Sequence, residues 1–286
     1  MAQQQSDYNF KYFNVTFPRE YVAQVEINRP EKLNAFLEEM WHNMGQIFNR
    51  ISHDPNVRCV VLTSAGDRAF TAGLDVQAVS QRENIVPGAE GGEDAARSAN
   101  LIRRHIFSFQ SCITAIEKCE SPVIAVLHGI AYGLALDISL ACDIRICTSN
   151  TRFSVKEVDI GLAADIGTLT RLPKSGLPSS FTKDVALSAR EFFPPEALRV
   201  GLVSDVFDTT KQEALGKALE KAALIASKSP VAVLGTKEVL NYSRDHSVED
   251  GLNYVAVWNA AYLQTRDVND ALLAGLKKKK PTFAKL

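Results

Sequence analysis

Residues 122–142 read PVIAVLHGIAYGLALDISLAC, an apolar run long enough to cross a membrane if it formed one helix. Its interior argues otherwise. His128, Asp137 and two glycines interrupt it, and His128-Gly129 is a turn signal. The stretch therefore predicts a buried strand over Val123–Leu127, a turn, and a buried helix beginning near Gly133, with no membrane span. A further strand, Ile144–Thr148, follows and leads to Phe153–Val155. Strand, helix and strand in that order mark an α/β fold.

Upstream the alternation continues. Val57–Leu62 (VRCVVL) is a continuous apolar strand of the kind buried on both faces. It ends in a loop, Thr63–Phe70, followed by Thr71-Ala72-Gly73-Leu74-Asp75. Asn34–Ile51 places Phe36, Met40, Met44, Ile47, Phe48 and Ile51 near helical spacing, which predicts an amphipathic helix. Phe13–Phe17 and Val22–Ile27 are β-like runs joined by Pro18-Arg19-Glu20-Tyr21, as in a hairpin. Residues 80–98 (SQRENIVPGAEGGEDAARS) are polar and contain glycine, so they read as a mobile loop before a helix over about Ala99–Cys119. From about Lys211 to Gly275 the pattern is helical, with breaks at Ser229-Pro230 and Asp245–Ser247. The expected map is a core over residues 1–210 and a helical region over residues 211–286.

Composition narrows the function. The chain has 286 residues, 46% hydrophobic and 23% charged, which excludes a disordered or low-complexity chain. With 32 Lys+Arg against 33 Asp+Glu it has no global electrostatic footprint for nucleic acid. Five scattered cysteines suggest neither a disulfide framework nor a zinc site, and fit a reducing compartment; no metal is expected. The N-terminal MAQQQSDYNFKYF has no basic start followed by an apolar segment, so no secretory signal is expected. The C-terminal sequence is KKKKPTFAKL. Its last residues, Ala284-Lys285-Leu286, resemble the small-basic-Leu address read by a peroxisomal import receptor. They also fit a plain solvated basic tail.

Several chemical signatures are missing: G-x-x-x-x-G-K-[ST], G-x-G-x-x-G, G-x-S-x-G and H-E-x-x-H. Acids among small and apolar residues are what remain: Asp137 in GLALDISLA, Glu157 in FSVKEVDIG and Asp165 in GLAADIGTL. Burial raises a carboxyl's pKa, and two carboxyls in one pocket drive their values apart, as proton transfer requires. Each acid also admits a structural role. Asp137 would satisfy backbone donors, Glu157 would pair with Lys156 or Arg152, and Asp165 would cap a helix. Three within 30 residues favour a site. The turns Ala72-Gly73-Leu74 and Tyr132-Gly133-Leu134 each follow a strand and open toward a helix. Two such backbone termini aimed at one point would make an oxyanion hole, although each alone is ordinary strand-to-helix chemistry.

The chain resembles the crotonase superfamily, the enoyl-CoA hydratase/isomerase family, over nearly its whole length. The matching pieces are VEINRPEKLNAF (25–36), CVVLTSAGDRAFTAGLDV (59–76), SPVIAVLHGIAYGLALDISLACDIRI (121–146), FSVKEVDIGLAADIGTLTRLP (153–173) and ALSAREFFPPEALRVGLVSDV (186–206). Within the family, VKEVDIGLAADIGTLTRLPK most resembles the branch of Δ3,5-Δ2,4-dienoyl-CoA isomerases, with acids at Asp137, Glu157 and Asp165. The resemblance implies a spiral of ββα units with a C-terminal helical region that builds trimers, often paired into hexamers. It implies an acyl-CoA thioester as ligand, with coenzyme A carried by the substrate and no separate cofactor. By position, the N–H groups of Leu74 and Leu134 would bind the thioester oxygen, and Ala72, Gly73, Leu74, Asp75 and Val76 would line the CoA site. Asp165 and Glu157 would shuttle protons, with Asp137 as a supporting polar group. One departure stands out: Leu134 lies where many relatives have glycine, which still leaves its N–H but reshapes the pocket. His128, often Asn in relatives, reads as turn or core.

The implied reaction shifts the double bonds of a 3,5-dienoyl-CoA to 2,4 during fatty acid β-oxidation. Enoyl-CoA hydratase or Δ3-Δ2-enoyl-CoA isomerase activity is the alternative, using Asp137 and Glu157. A non-catalytic RNA-binding role rests on Lys277–Lys280 alone. Peroxisomal localisation is expected from the terminal tripeptide, with mitochondrion or cytoplasm as alternatives.

Overall fold

The structure, a computed structural model, describes residues 8–77 and 94–286. Among the described residues the chain forms nine strands and ten α-helices. β1 (Phe13–Arg19) pairs antiparallel with β2 (Val22–Ile27), as the hairpin pattern predicts. β2 then runs parallel to β3 (Cys59–Ser64), β5 (Val123–Leu127), β7 (Ile144–Thr148) and β9 (Asp205–Phe207) in one six-stranded sheet. The central strands are apolar on both faces because helices cover both. Val25, Val60, Leu62, Val123, Ala125 and Leu127 point to one core. Val22, Val61, Ile124, Val126 and Ile146 point to the other, against the alanines of α7 (Lys211–Ala226). Thus α7, the first part of the helical region expected from residue 211, is the layer that closes the second face.

The first core takes in α1 (Glu38–Ser52) and α2 (Ala95–Lys118). Their stripes are Met40, Met44, Ile47, Phe48 and Ile51 against Phe109, Ile113 and Ile116, and the Trp41 and Phe109 rings stack at 3.9 Å. Helix α1 starts four residues later than the apolar spacing predicts. Leu33 and Asn34 take left-handed φ values of 52° and 55°, and the Asn34 amide donates to the carbonyls of Ala65 and Ala69. Helix α2 starts earlier than predicted, because the Asp94 carboxylate accepts from the N–H groups of Ala96 and Arg97. The expected loop over 80–98 otherwise falls outside the described residues up to 93.

A second sheet was not expected. β4 (Ala69–Thr71), β6 (Ile130–Tyr132) and β8 (Arg152–Ser154) are three residues each and run parallel. Parts of the chain read as the loop 63–70 and the turn before Gly133 are therefore strands. The Thr71↔Ala131 and Tyr132↔Ser154 pairings bring the three carboxyl ends to one edge. Each strand there hands over to a segment holding a candidate residue. Helix α3 (Leu134–Ala141) follows β6 and is buried along its whole length. Beyond α4 (Thr168–Lys174), α5 (Ser179–Ser188) and α6 (Pro194–Val200), α7 is succeeded by α8 (Pro230–Ser243), α9 (Val248–Tyr262) and α10 (Asp267–Leu276). The predicted breaks near 229 and 245–247 are present, and another separates α9 from α10 at 263–266.

Candidate active site

The site is built where the three short parallel strands end, the place where open parallel sheets present ligand-binding loops. After β4, the Thr71 hydroxyl donates to Asn34 O at 2.8 Å and accepts the Gly73 N–H at 3.1 Å. Gly73, at φ 99°, sends its carbonyl to the Phe36 N–H, and the Asp75 N–H returns to Phe36 O. Between these bonds the Leu74 N–H has no acceptor among the described residues. After β6, Gly133 (φ 53°) gives its N–H to Ser154 O, and the Leu134 N–H at the first position of α3 is equally unused. The two turns touch. A Cβ added to Gly73 would sit 3.3 Å from Tyr132 O and 3.9 Å from Leu134 N. Two touching turns thus each carry an unused backbone donor, one of them at a helix N-terminus, an arrangement suited to a developing oxyanion.

The three acids occupy different environments. Glu157 opens a short 3-10 helix, Glu157–Ile160, just after β8. One of its oxygens lies 3.0 Å from where a Gly133 Cβ would be, and the other, Oε2, is buried without a hydrogen-bond partner. Burial, then the neighbouring Asp137 charge, pushes its carboxyl up to about 7. Neither cation proposed as its partner takes it: Lys156 binds Asp159 and Arg152 binds Glu191. Asp137 is buried in α3 and accepts the Thr168 N–H at 2.6 Å. Desolvation raises it to about 6, with Thr168 and Arg171 pulling the other way. Its carboxylate therefore caps α4, the capping role that sequence offered to Asp165. Asp165 stands on the segment between the 3-10 helix and α4 and is exposed, not enclosed by the small residues around it. That segment runs over the surface, where alanine and glycine add little cover. Partial desolvation still raises its carboxyl, against its own N–H and the nearby His105.

Other candidates have structural employment. The Asp75 carboxylate meets Arg29 Nη1 at 2.8 Å in an ion pair whose side chains are 10% and 11% exposed. The same Arg29 nitrogen donates to Ala35 O, locking the entry to α1 onto the β4 turn. The Ala72 N–H donates to Leu33 O, whereas Val76 is exposed at 57%. His128 is buried against Gly66 O at 3.0 Å, and burial depresses it to about 4, so it is a neutral turn residue. Sequence reasoning missed Arg171. Its guanidinium binds Glu117 Oε2 and Thr114 of α2, beside Gly167 and Asp137. The available signal was Thr114 and Glu117 three positions apart, on one helix face.

The geometry can hold an oxyanion on two backbone donors, keep one carboxyl protonated near neutrality and offer a second at the surface. Among the described residues no group of three or more His, Cys, Asp or Glu could hold a metal ion. No helix among them is long and apolar enough to cross a membrane. The profile of the Enoyl-CoA hydratase/isomerase family matches residues 18–285. The mouse protein named Delta(3,5)-Delta(2,4)-dienoyl-CoA isomerase, mitochondrial, is 45% identical over 98% of this chain and 85% of its own. The peroxisomal protein of the same name from Arabidopsis thaliana is 44% identical over 93% of both chains. The crystal structure of an enoyl-CoA hydratase from Bacillus anthracis superposes with a TM-score of 0.84, at 26% identity, over 96% of this chain and 99% of that one.

Proposed function

The chain belongs to the enoyl-CoA hydratase/isomerase family, and on that premise we propose that it is a Δ3,5-Δ2,4-dienoyl-CoA isomerase of fatty acid β-oxidation. The thioester oxygen of a 3,5-dienoyl-CoA accepts from the Leu74 and Leu134 N–H groups. Donors of this kind are each worth about 3 kcal/mol in the transition state. Asp165 takes a C2 proton, and the electron pair shifts through the diene to give an extended dienolate. Glu157 returns a proton at C6, leaving double bonds at C2 and C4. The proton count closes with two carboxyls, one ionised and one protonated, and coenzyme A enters as part of the substrate.

The observation that carries this reading is Glu157: a half-buried carboxyl with one enclosed, unpartnered oxygen, its value pushed up to about 7 beside the two turns that carry the backbone donors. A hydratase reading would need Asp137 free to orient water with Glu157. Instead Asp137 is enclosed and bound to the Thr168 N–H, which favours the isomerase. The test is Asp165→Asn with a 3,5-dienoyl-CoA, following the ultraviolet absorbance that grows as conjugation reaches the thioester. Turnover should fall about 10²–10⁴-fold with acyl-CoA binding near wild type. Undiminished turnover would make Asp165 structural.

Two further features complete the proposal. The exposed apolar side chains of α8–α10 support a homotrimer, or a pair of trimers. The Ala284-Lys285-Leu286 tripeptide supports a peroxisomal destination through its import receptor, although the mouse relative is named mitochondrial and the Arabidopsis one peroxisomal. An N-terminal fluorescent fusion should form puncta that turn diffuse when the last three residues are deleted. Puncta indifferent to that deletion would overturn the assignment.

A further inference from the structure

Asp165 sits on a segment that does little to hold itself. Residues 162–165 are neither helix nor strand, and among the described residues one hydrogen bond reaches residues 163–166 from elsewhere in the fold. It is donated by Gln110 Nε2 of α2 to Asp165 O at 2.5 Å. Farther along the same helix, Thr114 and Glu117 hold the other end of this stretch through Arg171 of α4, at 2.9–3.0 Å. Residues 110, 114 and 117 are spaced i, i+4 and i+7 and so share one face of α2. The second Glu117 oxygen is taken by Arg244, which anchors that face to the C-terminal helices. The same helix also brings His105 near enough to pull the Asp165 carboxyl down.

We propose that the Gln110–Thr114–Glu117 face of α2 is the positioning element of the active site, and that the Gln110 amide is a positioning residue setting where the Asp165 carboxylate meets C2. This rests on the proton-shuttle reading of Asp165. Besides this hydrogen bond the segment has the packing of Ile166 against the core, and a misplacement of a carboxylate by about 1 Å costs on the order of 10²-fold in rate. Gln110 restricts the segment's freedom from outside it, through the Asp165 carbonyl.

The experiment compares Gln110→Met, which keeps length and loses the donor, with Asp165→Asn and with the double variant. A second single variant, Gln110→Ala, guards against a packing fault peculiar to methionine. With Gln110→Met, kcat should fall about 10–100-fold. KM and acyl-CoA affinity should stay near wild type, because the oxyanion donors lie on other segments. The double variant should be no slower than Asp165→Asn alone, since both changes remove the same contribution. Full kcat in both Gln110 variants, with Asp165→Asn impaired, would overturn the positioning role by itself. A double variant slowed by the product of the singles would overturn it too, placing the effect of Gln110 elsewhere. Full activity in Asp165→Asn would remove the shuttle reading and this inference together.

Discussion

At the scale of single residues, chemistry turns on how three carboxyls are housed. Glu157 and Asp137 were legible as candidates because acids are rare in apolar runs. Their partners were not, since the Lys156–Asp159 and Arg152–Glu191 pairs that free Glu157 depend on where loops lie in space. The pH dependence follows from the housing. In the proposed role of C6 acid Glu157 must be protonated, so its raised value predicts a rate that falls as pH climbs through about 7. A rate that instead rises through that pH would make Glu157 the base and exchange its role with Asp165. Stability has the same sign. The native state holds protons on Glu157 and Asp137 that the unfolded chain releases in the ordinary carboxylate range. The stability these two groups contribute is therefore present at low pH and lost as pH rises toward about 7. Glu157→Gln should flatten that slope in thermal melts taken from pH 5 to 8.

At the scale of elements, the long strands and helices were predictable and the short strands were not. Val123–Leu127 declares itself by continuous apolar content, and Val22–Ile27 and Ile144–Thr148 by their β-branched residues. A strand of three residues has room for barely one alternation, so β4, β6 and β8 left no periodic trace. They nevertheless place the candidate site, because their carboxyl ends carry the Leu74 turn, the Leu134 turn and Glu157. The joint between β6 and α3 is the sensitive point. Gly133 has φ 53° and ψ −115°, and a Cβ there would meet Glu157 Oε1 at 3.0 Å. Gly133→Ala should strain the turn, move the Leu134 N–H and push Glu157 aside. Turnover should drop about 10²-fold, comparable to losing one oxyanion donor. Turnover within twofold of wild type would mean that the turn tolerates the methyl and that Leu134 is not the donor.

At the scale of the whole molecule, burial is uneven. The sheet and α7 close a dry core, whereas the later helices leave large apolar side chains in water. Leu240, Val248, Leu252, Val257, Leu272 and Leu276 are between 63% and 84% exposed. That much exposed apolar surface on consecutive helices is what a subunit contact would cover. The expected result is a trimer or hexamer by light scattering at micromolar concentration. Leu252→Lys with Val257→Lys should shift it to smaller species while the sheet core stays folded by circular dichroism. A wild-type monomer under those conditions would contradict the assembly.

The sequence by itself determined the α/β alternation, the two-sided burial of the central strands, the family resemblance and the short roster of acids. Those features are local: they follow from residue type and spacing within ten or twenty positions. The tertiary structure decided how each acid is housed. Asp137 became the cap of α4 and Asp165 an exposed residue tied to Gln110 across 55 positions. Asp75 became the partner of Arg29, 46 positions away. Pairings over such separations depend on how the sheets bring distant segments together, and no local pattern encodes them.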